Sequence, residues 1–216
     1  MSRPLAVLAL CALSASSLNS APRPKATPTP DYYPTTPGTT WTYEQDGEES
    51  VRTVAAVTRT GDATVATVTV TGRGQWSERV AVTPAGVFRR ALAGAEFDPG
   101  LCLLRLPLTA GAAWDATEPA RPGALAHGGR MTVGAEESVT VPAGTFKAVP
   151  VRWEITTWDG EDLEEPETYT YWYAPGVGLV QFRAGTTVRQ LKSFTPGPGG
   201  EITSAPAGDR PTSRAR

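Results

Sequence analysis

Apolar and polar residues alternate along most of this chain, and a period of two is the pattern of half-buried β-strands. The clearest case is Val151 to Thr157: Val151, Trp153, Ile155 and Thr157 share one face, and Arg152, Glu154 and Thr156 the other. Thr168 to Tyr173 alternates too, with Tyr169, Tyr171 and Tyr173 on one side and Trp172 opposite. The same reading predicts strands near 39–45, 51–59, 62–71, 75–83, 86–92, 101–106, 130–141, 145–150, 177–183 and 186–194. No stretch within 32–194 shows the apolar stripe of a surface helix.

Turn chemistry separates these runs. Asp46-Gly47 and Asp159-Gly160 suit tight hairpins, because glycine takes positive φ without a steric penalty. Thr83-Pro84-Ala85-Gly86 and Val141-Pro142-Ala143-Gly144 share a second device, in which proline presets the first turn position and glycine the left-handed one. Hairpins following one another make a meander, and a meander this long must protect its edges. The predicted fold is therefore all-β: an antiparallel meander forming a strongly curved sheet or incomplete barrel. Two echoes, Pro34-x-x-x-Gly38-x-x-Trp41 with Pro107-x-x-x-Gly111-x-x-Trp114, and Pro84-Ala-Gly-Val-Phe88 with Pro142-Ala-Gly-Thr-Phe146, fit either an internal duplication or convergent turns. In both readings Trp41 and Trp114 anchor the start of a strand.

The ends of the chain differ in character. Arg3 followed by the apolar run Leu5 to Leu13, then small residues, reads as a secretory signal over 1–21, too short to span a bilayer. Residues 22–31 form a Pro-rich leader, and 195–216 a Pro/Gly-rich tail; both have the composition of disordered segments. The single folded domain is placed at 32–194. The expected product is exported, periplasmic or extracellular, and not transmembrane once the signal is removed. A lipid anchor at Cys11 is the lesser alternative, since Leu10 stands where a lipobox has a small residue.

Charge and chemistry add mostly exclusions. A net charge of −2 with scattered basic residues gives no footprint for nucleic acid. With Cys11 removed, Cys102 is left alone among leucines and reads as a small core residue. One histidine, His127, expected on a loop, and one mature cysteine are too few for a structural zinc site. The run Glu161, Asp162, Glu164, Glu165 and Glu167 reads as a solvated hairpin tip. No cofactor, metal or catalytic constellation is expected. The aromatic residues Trp153, Trp158, Tyr169, Tyr171, Trp172 and Tyr173 are the candidate ligand-binding set, against the alternative of ordinary core and cross-strand pairs.

Three landmarks span nearly the whole predicted domain: Tyr33-Pro34-x-x-x-Gly38-x-x-Trp41-x-Tyr43, Val139-Thr-Val-Pro-Ala-Gly-Thr-Phe146 and Tyr173-Ala-Pro-Gly-Val-Gly-Leu-Val180. In these the chain resembles exported bacterial proteins of unknown function, and more remotely the LolA-like half-barrel of periplasmic lipoprotein carriers. That resemblance implies a curved sheet around a hydrophobic cavity, though the helices that close the carrier's cavity have no counterpart in this sequence. Three functions follow as expectations. The first is a non-enzymatic exported protein binding an apolar small molecule, lipid or envelope protein on the concave face. The second is a structural or interaction module without a small ligand; the third, a hydrolase built on a carboxylate pair.

Overall fold

The computed structural model describes residues 31–121, 124–198 and 203–204; the predicted signal with Cys11, and most of the leader and tail, lie outside the described residues. The chain forms β1 (Thr40–Gln45), β2 (Glu48–Thr60), β3 (Ala63–Thr71), β4 (Gln75–Thr83), β5 (Gly86–Leu92) and β6 (Ala95–Arg105). Then come β7 (Ala113–Glu118), β8 (His127–Val133), β9 (Glu137–Val141), β10 (Gly144–Trp158), β11 (Glu161–Ala174), β12 (Gly178–Ala184), β13 (Thr187–Thr195) and β14 (Thr203–Ser204). No helix occurs among the described residues.

These strands make one antiparallel sheet in the order β6-β5-β4-β3-β2-β1-β13-β12-β11-β10-β8-β7, with β9 beside the start of β10 and β14 added parallel to β2. The two outermost strands, β6 and β7, come round to face each other, so the sheet is nearly closed into a barrel with one unsealed seam. The predicted curved, incomplete barrel is what the chain forms. Bulges between Thr42 and Tyr43, Val54 and Ala56, and Ile155 and Thr157 bend the strands as closure requires. Two glycines permit close strand approach: a Cβ on Gly129 would lie 2.0 Å from the Glu154 carbonyl oxygen, and one on Gly86 2.2 Å from that of Leu104. Gly86 therefore serves packing and not the left-handed turn position expected of it.

The hairpin turns follow the local chemistry. Asp46 and Gly47 have φ of 55° and 76°, and Asp159 and Gly160 of 51° and 87°, the pair of positive values that matches strand twist. Both echo segments place their tryptophan second in a strand, Trp41 in β1 and Trp114 in β7, each preceded by a glycine with φ near 83–84°. Their indoles donate to distant carbonyls: Trp41 Nε1 to Val177 O at 2.6 Å, Trp114 Nε1 to Cys102 O at 3.1 Å. The second of these bonds spans the seam, and the Arg105 guanidinium lies 5.8 Å from the Trp114 ring centre beside it.

Several boundaries differ from the sequence reading. The segments 145–150 and 151–157 are one 15-residue strand, β10, and 130–141 is split into β8 and β9. Strand β7 was not predicted, although its Trp114 was; its six residues are too few, and Asp115 and Glu118 too polar, for periodicity to stand out. The acidic run lies in the exposed first half of β11, continuing the hairpin beyond its Asp159-Gly160 turn. His127 is the first residue of β8 and not part of a loop. Past β13, the Gly197 amide donates to Thr39 Oγ1 at 3.0 Å.

Inside the barrel, one buried cluster joins Val87, Leu101, Leu104, Trp114, Met131, Val151, Trp153, Ile155 and Tyr173. A second joins Trp41, Val54, Val57, Val68, Val180 and Leu191 to Val139, Val141 and Ala148 of the β9–β10 hairpin. Each fully buried large side chain contributes about 1.5–3 kcal/mol to holding this shape. Arg152, Glu154 and Thr156 face outward and are exposed.

Candidate functional site

Strand parity sends charged residues inward as well as apolar ones. Glu78 follows the parity of Val80, Arg89 that of Val87, Arg189 that of Leu191, Arg52 that of Val54, and Glu118 that of Trp114 and Ala116. All five therefore enter the barrel, where closure brings β2, β4, β5, β7 and β13 around one space.

Glu78 is the hub. Its side chain is 1% exposed, with Oε1 accepting from Arg52 Nη1 at 2.9 Å and Oε2 from Arg89 Nε at 3.3 Å. The Tyr33 hydroxyl donates to Oε1 at 3.3 Å. Burial pushes the Glu78 carboxyl up, but Arg52, Arg89 and the tyrosine bond outweigh it and hold it below the usual carboxylate range. Burial in turn raises Tyr43 to about 12, and Tyr33, Tyr171 and Tyr173 above their ordinary values, so these rings stay neutral hydroxyls at physiological pH.

A cavity of about 420 Å³ adjoins this network. Arg52, Arg89, Arg189 and Arg121 line it together with Glu118, Trp76, Leu92, Tyr171 and Phe182. Ala93, in the β5–β6 turn, and Ala124, in the β7–β8 connection, mark the end of the barrel at which it opens. Charge here is unbalanced: four arginines face two glutamates. Glu118 has only long ion-pair contacts, 3.8 Å to Arg89 and 3.5 Å to Arg121. Arg189 has no carboxylate within ion-pair distance among the described residues, and its Nε, like Arg121 Nη1, is enclosed without a hydrogen-bond partner. Its guanidinium instead sits 5.0 Å from the Phe182 ring centre and 5.7 Å from that of Tyr43. Burial, then repulsion from Arg52, brings its pKa down to about 10.

The six predicted aromatics are dispersed. Tyr171 borders the cavity, 4.9 Å centre to centre from Phe182. Trp153 and Tyr173 are buried in the core, and Tyr169 stands edge-on to both Trp153 and Phe182. Trp158 and Trp153 flank His127, at 5.5 and 6.3 Å between ring centres. Trp172 points to the outer face, where its indole donates to Glu137 at 2.5 Å and Arg183 lies 5.9 Å from its ring centre. An outer hollow of about 460 Å³ runs past Trp172, Glu137, Arg152 and Glu154. There the charges are exposed or partnered, which sets it apart from the interior cavity.

The interior charges were missed by the sequence reading, which ranked aromatics first. The signal was present: a charge on the apolar parity of a strand, as in Trp76-x-Glu78-x-Val80, is costly unless partnered inside. Among the described residues, no three His, Cys, Asp or Glu side chains gather to hold a metal ion.

Comparison with known proteins fits this architecture. The family described as DUF3108-like matches residues 129–185, from within β8 to the β12–β13 turn. A "putative lipoprotein" from Parabacteroides distasonis shares the fold at a TM-score of 0.51, with 16% identity over 78% of this chain and 100% of the other. A "putative exported protein with YmcC-like fold" from Bacteroides fragilis aligns at a TM-score of 0.48, with 14% identity over 77% of this chain and 99% of the other. No curated protein matches the sequence.

Proposed function

We propose that this chain is an exported, non-enzymatic binding protein of the bacterial envelope, and that the inside of its barrel receives a small molecule. One observation carries the reading: a cavity of about 420 Å³ opens at one end of the barrel, walled on one side by Trp76, Tyr171 and Phe182 and on the other by Arg52, Arg89, Arg121, Arg189 and Glu118. Aromatic walls facing convergent polar groups are how small-molecule sites are built, and the volume lies within their usual range. Export is supported by Arg3 and the apolar run Leu5 to Leu13, and by the description of the similar Parabacteroides distasonis structure as a lipoprotein. The concave face expected to bind a ligand is retained from the sequence reading, with one change. Tyr171 is the member of the aromatic set at the site, and arginines accompany it.

The test is native mass spectrometry on the protein released gently from the envelope fraction of its own host. A retained small-molecule adduct, lost on denaturation, is the expected result. Spectra that repeatedly show the bare polypeptide, together with an unchanged melting temperature in a broad metabolite screen, would overturn the reading in favour of an interaction module.

A further inference from the structure

Among the described residues the interior carries more positive than negative charge, although the whole sequence is net acidic at −2. Glu78 is shared by Arg52 and Arg89 at hydrogen-bond distance. Glu118 lies between Arg89 and Arg121 at 3.8 and 3.5 Å without making a hydrogen bond to either. Arg189, across the same cavity, has aromatic faces for company and an enclosed Nε with no acceptor. A partly buried guanidinium without a carboxylate partner costs stability, and a neutral replacement of similar volume would relieve that cost. An occupant that brings negative charge would reduce this excess of four arginines over two glutamates.

We infer that the cavity is built for a compact organic anion, its carboxylate or other oxyanion head held by Arg189 and Arg121 and its flat apolar body lying along Tyr171, Phe182 and Trp76. The inference rests on the binding reading above and names the ligand's class. Guanidinium forks match oxyanions in geometry, and bonds to a charged acceptor are roughly twice as strong as neutral ones. The aromatic wall supplies area at low entropic cost. A volume of about 420 Å³ suits a single compact solute and not a two-chain lipid, whose acyl chains would need a longer apolar channel. The sequence expectation of an apolar ligand thus becomes one of an amphipathic, negatively charged ligand.

Three probes that share one ring system and differ in head group test this: 2-naphthoate, 2-naphthylmethanol and 2-naphthylmethylammonium, titrated calorimetrically into the wild-type protein. Naphthoate is expected to bind at least about tenfold tighter than the alcohol, and the ammonium compound weakest. Arg189→Met and, separately, Arg121→Met should weaken naphthoate about tenfold and leave the alcohol within about twofold. Arg121 is half-buried beside the β7–β8 connection, so its replacement keeps the test informative if the Arg189 variant folds poorly. Equal binding of acid and alcohol, or variants that bind naphthoate as wild type does, would overturn the anion inference and leave the binding reading standing. Failure of all three probes to bind at millimolar concentration would count against both.

Discussion

Replacing Glu78 by glutamine keeps the shape of the side chain and removes the charge around which the interior is organised. In the wild type its carboxylate is 1% exposed and lies 2.9 Å from Arg52 and 3.3 Å from Arg89. At an effective dielectric of about 20, two unit charges at 4 Å interact by about 4 kcal/mol. Loss of one partner from a buried pair costs roughly 3–5 kcal/mol, because the other charge stays behind uncompensated. Arg52 would lose its carboxylate, and Arg89 would keep only Glu118 at 3.8 Å. The expected loss for Glu78→Gln is therefore about 3–5 kcal/mol at pH 7. Urea unfolding followed by tryptophan fluorescence measures it as a fall of about 1–3 M in the midpoint at unchanged slope.

The pH dependence supplies an independent check of the cause. The folded carboxyl is held below its unfolded value, so its contribution is present above the unfolded pKa and fades as pH falls through the folded one. The gap between wild type and Glu78→Gln should narrow in acid, below about pH 4. Adding Arg52→Met to the variant should recover part of the loss, since it removes the stranded cation. A gap under about 1 kcal/mol at pH 7, or one that does not narrow in acid, would refute the claim that Glu78 neutralises the interior.

Arg189→Met is expected to raise the stability of the ligand-free protein by about 1–3 kcal/mol, the relief of an unpaired cation less its aromatic contacts. Burial and the neighbouring Arg52 disfavour its charge, and the guanidinium stays protonated, so the penalty is carried at neutral pH. Thermal melts at pH 7 should show the advantage, and a variant less stable than wild type would contradict it. Trp114→Phe should cost about 1 kcal/mol through the lost bond to the Cys102 carbonyl. Amide exchange should quicken chiefly in β6 and β7, and loss spread evenly over the sheet would deny Trp114 its role at the seam. Ala93 holds φ of 49° in the turn at the cavity mouth, so Ala93→Gly should stabilise by about 0.5–1 kcal/mol in equilibrium unfolding.

The sequence by itself determined the local order. A period of two, frequent Val and Thr, and Asp-Gly turns with positive φ specify antiparallel hairpins whatever the rest of the chain does, because each depends on neighbours a few residues away. Val151 to Thr157 is the plain example, with Trp153 and Ile155 buried and Arg152 and Glu154 exposed, as alternation required. Closure depended on distant partners. Strand β1 pairs with β13, and Trp114 reaches Cys102 across the seam, neither of which a local pattern encodes. The site is more distributed still. Parity alone marks Arg52, Glu78, Arg89, Glu118 and Arg189 as inward, but their meeting follows from five strands, drawn from both halves of the chain, sharing one lumen. Periodicity fixes which face a side chain takes; only the order in which strands pair decides what that face confronts. That is why the barrel was legible in the sequence and its charged interior was not.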